Sequence, residues 1–143
     1  MRPSTQLGWL MREAVRLTRR AVDEAVRSHG VTVAQWALLY QIAQQPGLSG
    51  AELAREMLLT PQAVHQALTT LVRRGLVERT PDANHARIFR TTLTDEGRRT
   101  ARRCRADSIR LHRKLLATFS AEERRVLAEL LQRYVQAMAT IDR

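Results

Sequence analysis
Leu7, Leu10, Met11, Ala14, Leu17, Ala21, Val22 and Ala25 recur at three- and four-residue intervals through residues 6–28. That spacing puts them on one face and predicts an amphipathic first helix, closed by His29-Gly30. Thr32 stands three residues before Gln35, a capping-box pair that opens a second helix over "VAQWALLYQIAQQ". This helix is apolar on nearly all sides, which predicts a central place in the core. Pro46-Gly47 stops it.

Ser49 with Glu52 forms a second capping box, opening a short third helix, "AELAREML". Thr60 suits an N-cap, Pro61 the first position of a fourth helix, and Gly75 its C-cap. "LVERT" and "RIFRTTL" then read as short strands around the polar loop "PDANHA", a hairpin with a long turn. Thr94 caps a fifth helix over residues 95–118, and Ser120 with Glu123 caps a sixth over 121–141. The sixth helix bears a stripe of Leu127, Leu130, Leu131, Tyr134, Met138 and Ile141. The predicted fold is mainly α with a small β-wing.

The fourth helix has two contrasting faces. Val64, Ala67, Leu68 and Leu71 follow the helical repeat and must face the core. Gln62, His65, Gln66, Thr69 and Arg73 follow it on the opposite side. With the short third helix and the "LTP" turn before it, this is a helix-turn-helix, and the hairpin after it is a wing. Such an arrangement lays the second helix in a DNA major groove, its first turns at the base edges. Gln bonds adenine, His donates to guanine, and Arg and Thr suit phosphate and sugar. The expected contacts are therefore Ser49, Thr60, Pro61, Gln62, His65, Gln66, Thr69, Arg73 and Arg74, with His85, Arg87 and Arg90 from the wing.

Charge agrees with that placement. The 143 residues carry 24 Lys+Arg against 14 Asp+Glu, a net charge of +10, and Lys114 is the only lysine. A balance this basic attracts polyanions. Hydrophobic content of 44% is enough for a packed core. No apolar run approaches the roughly 18 residues needed to cross a bilayer, and "MRPSTQLGWLMREAVRL" lacks the form of a signal peptide. A cytoplasmic protein with no membrane partner is expected.

The segment from Ser49 to Gly97 resembles the winged-helix core of the MarR family of bacterial transcription regulators. The resemblance rests on "LLTPQAVHQALTTLVRRGLVER", the wing "PDANHAR" and "TLTDEG", with Leu93, Thr94 and Gly97 as the more specific element. The helix order on either side extends it over essentially the whole chain. It implies a single unit over 1–143: a winged helix-turn-helix core at 32–97, and a helical dimerisation region from 1–30 and 98–143. It also implies a homodimer on a palindromic operator in double-stranded DNA, repressing transcription and released by a small aromatic or phenolic effector. In such a fold the first, second and fifth helices meet near the effector site, which directs attention to Trp9, Trp36, Tyr40 and His112. The chain departs from the family at the wing tip. An Asp-Arg-Arg run there is replaced by His85-Ala86-Arg87, so only the last Arg is kept.

The long fifth and sixth helices point to a dimer on their own account, since each carries an apolar stripe that a small winged domain does not cover. Arg98 and Arg99, next to the wing, add to the basic field. Cys104, the only cysteine, excludes an internal disulfide and reads as a buried thiol. The other reading is a redox switch, with Arg103 and Arg105 lowering its pKa. His29, His65, His85 and His112 lack paired metal-ligand spacing. Neither a nucleophile elbow nor a phosphate-cradling glycine loop is present, so no enzyme, metal or cofactor is expected. The alternative to an operator-binding regulator is a winged-helix module that binds RNA or an acidic protein without operator specificity.

Overall fold
Each capping residue picked out by the sequence starts a helix. In the computed structural model, which describes residues 3–141, the elements run α1 (Pro3–Arg27), α2 (Val33–Gln44), α3 (Gly50–Glu56), α4 (Pro61–Arg73), β1 (Val77–Pro81), β2 (Phe89–Leu93), α5 (Asp95–Leu116) and α6 (Ala121–Ile141). Thr32 Oγ1 accepts from the Gln35 N–H at 3.2 Å while Gln35 Oε1 accepts from the Thr32 N–H at 3.1 Å. The pairs Ser49–Glu52 and Ser120–Glu123 repeat this reciprocity at α3 and α6. Thr60 caps α4, with Pro61 in its first turn.

Helix ends follow the same logic, with one departure. Gly75 sits at φ +68°, its N–H reaching Val72 O while the Leu76 N–H reaches Leu71 O. This is a Schellman closure, which favours glycine at the left-handed position. α3 closes with the equivalent bonds, Leu58 N–H to Arg55 O and Leu59 N–H to Ala54 O. Here the left-handed residue is Leu58, at φ +53°. A side chain in that conformation costs roughly 1–2 kcal/mol.

The strands pair antiparallel, from Val77 opposite Leu93 to Pro81 opposite Phe89. The second strand starts at Phe89, two residues after the sequence-predicted start at Arg87, and Asp82 is the reason. Its Oδ1 accepts from the Asn84 and His85 N–H groups at 2.8 and 3.0 Å. Its own N–H donates to Ile88 O at 2.8 Å, so Arg87 and Ile88 are held in the turn. The outer edge of β2 is covered as well. Gly47 N–H reaches Thr91 O at 2.9 Å, and Thr91 N–H reaches Leu48 O at 3.1 Å.

Leu38, Leu39 and Ile42 of α2 are buried, and α2 packs on α4 and β2, where Val64, Leu68, Leu71 and Leu93 are buried too. The second helix is thus central as expected, though not enclosed, since Tyr40 is 41% exposed. Residues 1–108 and 109–143 form two compact units, with α5 running through the division. α1 and the first part of α5 group with the winged core in the first unit. Burial explains it: Val22 and Val26 of α1, and Ala101, Cys104 and Ser108 of α5, are core residues of the first unit. A ring nitrogen of His29 lies 2.7 Å from Asp107 Oδ2, joining the end of α1 to α5. In the second unit, α6 exposes Leu130, Leu131, Tyr134, Val135 and Met138. No described helix is long and apolar enough to cross a membrane.

Candidate nucleic-acid interface
Val64, Leu68 and Leu71 fix the inner face of α4, each at most 1% exposed. Gln62, His65, Gln66, Thr69 and Arg73 consequently stand exposed on the outer face. The Thr69 hydroxyl donates to His65 O at 2.9 Å, which leaves its oxygen lone pairs turned outward as acceptors. The side chains of Gln62, His65, Gln66 and Arg73 make no hydrogen bond among the described residues.

Ser49 and Thr60 have structural duties as caps, their oxygens accepting from Glu52 and Ala63 N–H groups. Pro61 is exposed beside Thr60. Arg74 is exposed but leans back, its Nη1 donating to Gly30 O. On the wing, His85 and Arg87 are exposed in the turn.

Arg90 differs from its sequence-based assignment as a DNA donor. Its Nε donates to Asp82 Oδ2 at 2.6 Å, and its Nη1 to Glu52 Oε2 at 3.0 Å and Gly47 O at 3.3 Å. The Arg90 guanidinium, followed by the Asn84 N–H, holds the Asp82 carboxyl below the usual carboxylate range. The Ser49 N–H, its hydroxyl and then Arg90 do the same for Glu52. With carboxylates on two sides, Arg90 adds little to the positive field. It is a brace that locks the wing to the start of α3.

Arg79 is also half-buried, its guanidinium 5.2 Å from the Phe89 ring centroid and its Nε buried without an acceptor. A groove of about 530 Å³ runs between α3, the start of α4 and the wing, with Arg55, His65, Arg79 and Arg87 along it. Arg55 is a residue the sequence reading passed over. Its signal was the position next to buried Leu53 and Ala54 on the exposed side of α3.

Trp9 is 49% exposed on α1, Trp36 is half-buried with its indole N–H lacking an acceptor, and His112 belongs to the second unit. Of the residues expected at an effector site, Tyr40 lines a cavity formed with β2 and α5. Cys104 corrects the redox alternative. It is fully buried, and burial followed by the Asp107 carboxylate pushes its thiol up to about 11, while Arg103 and Arg105 are exposed to solvent that screens them.

A sequence profile of the MarR family matches residues 29–88. The HTH-type transcriptional repressor Rv2887 of Mycobacterium tuberculosis is 33% identical over 127 residues, which is 89% of this chain and 91% of that one. The homoprotocatechuate degradative operon repressor of Escherichia coli is 28% identical over 77% of this chain and 74% of its own. Among solved structures, a mutant MarR from E. coli complexed with operator DNA superposes with a TM-score of 0.80 at 27% identity, over 90% of this chain and 93% of that one. The Rv2887 complex with DNA gives 0.78 at 32% identity, over 90% and 96%. With its helix-turn-helix, wing and flanking helices all matched across nearly its whole length, the chain belongs to the MarR family of winged-helix transcription regulators.

Proposed function
We propose that the protein represses transcription by binding a palindromic operator in double-stranded DNA as a homodimer, and that a small ligand releases it. The observation that carries this reading is the outer face of α4. Gln62, His65 and Gln66 are exposed in its first turns with their donors and acceptors unspent inside the fold. A helix presenting amides and an imidazole there matches the edges of bases in a major groove. Arg73 and Arg87 flank that face, suited to phosphates and to the minor groove.

Exposed apolar surface supports the dimer. α1 exposes Leu7, Trp9, Leu10 and Leu17, and α6 exposes Leu130, Leu131, Val135 and Met138. Surface of this kind is covered by a partner more often than by water, and a two-fold pair of recognition helices reads a palindrome. The relatives named as repressors favour repression, and one of them controls an operon that degrades a phenolic acid, which favours an aromatic effector. The protein works by binding, not by catalysis, in the cytoplasm.

The test is a titration of the purified protein against a palindromic duplex from beside its own gene and against a scrambled duplex, at several salt concentrations. Preference of about a thousandfold or more for the palindrome is expected. Equal affinity for both would favour an RNA- or protein-binding module instead.

A further inference from the structure
Arg79 lies on the inward face of the wing. Side chains alternate across a strand, and residues directly opposite in a hairpin share a face. Arg79 is opposite Thr91, just as Val77 is opposite Leu93, and Val77, Thr91 and Leu93 are all buried. Glu78 and Thr80, on either side of Arg79, are the exposed residues of the strand's outer face. An arginine turned inward normally meets a carboxylate or a carbonyl, because burying an unpaired charge is costly. Arg79 meets neither. Its Nε is buried without an acceptor, and the rest of its guanidinium makes no hydrogen bond or ion pair among the described residues.

What holds Arg79 is a ring. Its guanidinium carbon stands over Phe89, 5.2 Å from the centroid, a contact that restricts the side chain without using any of its donors. The same arginine lines the groove between α3, the start of α4 and the wing, with Arg55, His65 and Arg87 along the walls. Glu52 is the carboxylate on that groove, and it is already committed, accepting from the Ser49 N–H at 2.7 Å and from Arg90 at 3.0 Å. Arg90 and Arg79 therefore differ in kind. Arg90 is neutralised inside the fold, whereas Arg79 is held in place with its donors unspent.

We propose that Arg79 is the wing's phosphate anchor: it takes one phosphate of the DNA backbone into this groove and so fixes how the wing sits on the duplex. A phosphate suits the site because its oxygens accept from a planar fork of guanidinium N–H groups. Phe89 sets that fork before DNA arrives, which reduces the side-chain freedom lost on binding. The wing turn itself supplies one further arginine, Arg87, so a fixed contact on the strand matters to where the turn reaches. Arg79 is a positioning residue, carrying affinity and no sequence information. Its role rests on the DNA-binding reading above, but not on preference for an operator.

The Nε–H signal of Arg79 in nitrogen-15 NMR reads the anchor in the unaltered full chain, assigned by its loss in Arg79→Gln. Saturation with either the palindromic or the scrambled duplex should shift it. Arg79→Gln should weaken both duplexes alike, by about tenfold or more, and flatten the salt slope by about one unit. Arg79→Lys keeps the charge and loses the fork, so it should retain the slope while weakening both duplexes. Phe89→Leu should do the same by releasing the guanidinium from its ring. A signal unmoved by either duplex would overturn the proposal. So would a signal moved by the palindrome alone, since Arg79 would then respond to sequence. An Arg79→Gln variant with a lowered Tm and an unchanged salt slope would make Arg79 a merely structural residue, and sink it too. If both duplexes shift the signal but bind equally tightly, the anchor stands and operator-specific repression fails. Preference for the palindrome with an unmoved signal would sink the anchor alone.

Discussion
Gly97 lies directly against the backbone of Leu76: a methyl group built on it would stand 1.9 Å from Leu76 O and 2.9 Å from the carbonyl carbon. Thr94 closes the same junction, its Oγ1 donating to Gly75 O at 2.7 Å and accepting from the Gly97 N–H at 2.9 Å. The start of α5 is thereby fixed to the end of α4, which explains why the Leu-Thr-x-x-Gly element needs both its threonine and its glycine. In an open helix Gly97→Ala would be favourable by about 1 kcal/mol. Here backbone has to move, and a destabilisation of about 1–3 kcal/mol or more is expected. Thermal unfolding followed by circular dichroism should show a lowered Tm. A Tm equal to the parent's would refute the close crossing.

Leu58 and Gly75 form a matched pair of helix ends. Both are left-handed, at φ +53° and +68°, and a Cβ on Gly75 meets nothing within 4 Å. Gly75→Ala therefore isolates the conformational cost, about 1–2 kcal/mol. Leu58 is 93% exposed, so Leu58→Gly loses little packing and removes the same strain. It should raise stability by up to about 1 kcal/mol. Chemical denaturation of the two variants should give shifts of opposite sign.

How far the sequence could be read depended on how local each determinant is. Thr32, Ser49, Thr60 and Ser120 were legible as caps because each acts on a residue three positions away. The α4 faces were legible because helical periodicity alone separates Val64 from Gln66. Arg90 was not: its ion pair with Glu52 spans 38 positions and exists only once the wing folds onto α3. Read along the chain, it is one more arginine beside Arg87. The cavity beside Tyr40 was missed for the same reason, since Tyr40, Leu93 and Arg105 share no sequence pattern. Leu58 escaped notice because nothing in its type announces a left-handed conformation.

The brace makes acid a lever on the wing. Asp82 has its folded pKa depressed, chiefly by Arg90, so its contribution is present above the unfolded value and is lost as pH falls through the folded one. With an unfolded value of about 3.9, the wing should be insensitive between about pH 5 and 8 and loosen below about pH 4. The Asn84 and His85 amides, bonded to Asp82 Oδ1, report this directly by NMR. An Asp82 carboxyl carbon that titrates at or above the unfolded value would contradict the brace. Arg90→Ala should weaken operator and scrambled duplex by the same factor without reducing the salt slope, because Arg90 is committed inside the fold.

Cys104 should be inert in the folded protein. With its thiol pushed up to about 11, only about one molecule in a thousand carries the thiolate at pH 8. Alkylation by iodoacetamide should be slow until denaturant is added, and peroxide should leave operator affinity unchanged. Rapid alkylation without unfolding would show that the site opens in solution.

The recognition face separates specificity from affinity. Gln62, His65 and Gln66 stand in the first turns of α4 with their polar groups unspent, so they are placed to read base edges. A good base pairing by a side chain typically contributes about 1–3 kcal/mol of discrimination. Arg73 closes α4 and Arg87 lies at the wing turn, where phosphate and minor-groove binding carries little sequence information. Gln62→Ala or Gln66→Ala should therefore narrow the gap between operator and random DNA by about that amount for each amide deleted. Arg73→Ala and Arg87→Ala should weaken both duplexes alike and flatten the salt slope by about one unit for each phosphate no longer neutralised. Titration of each variant against both duplexes across a salt series distinguishes the two behaviours. Glutamine variants with equally reduced affinity for operator and scrambled DNA would mean that α4 does not read bases and that specificity comes from the shape of the DNA.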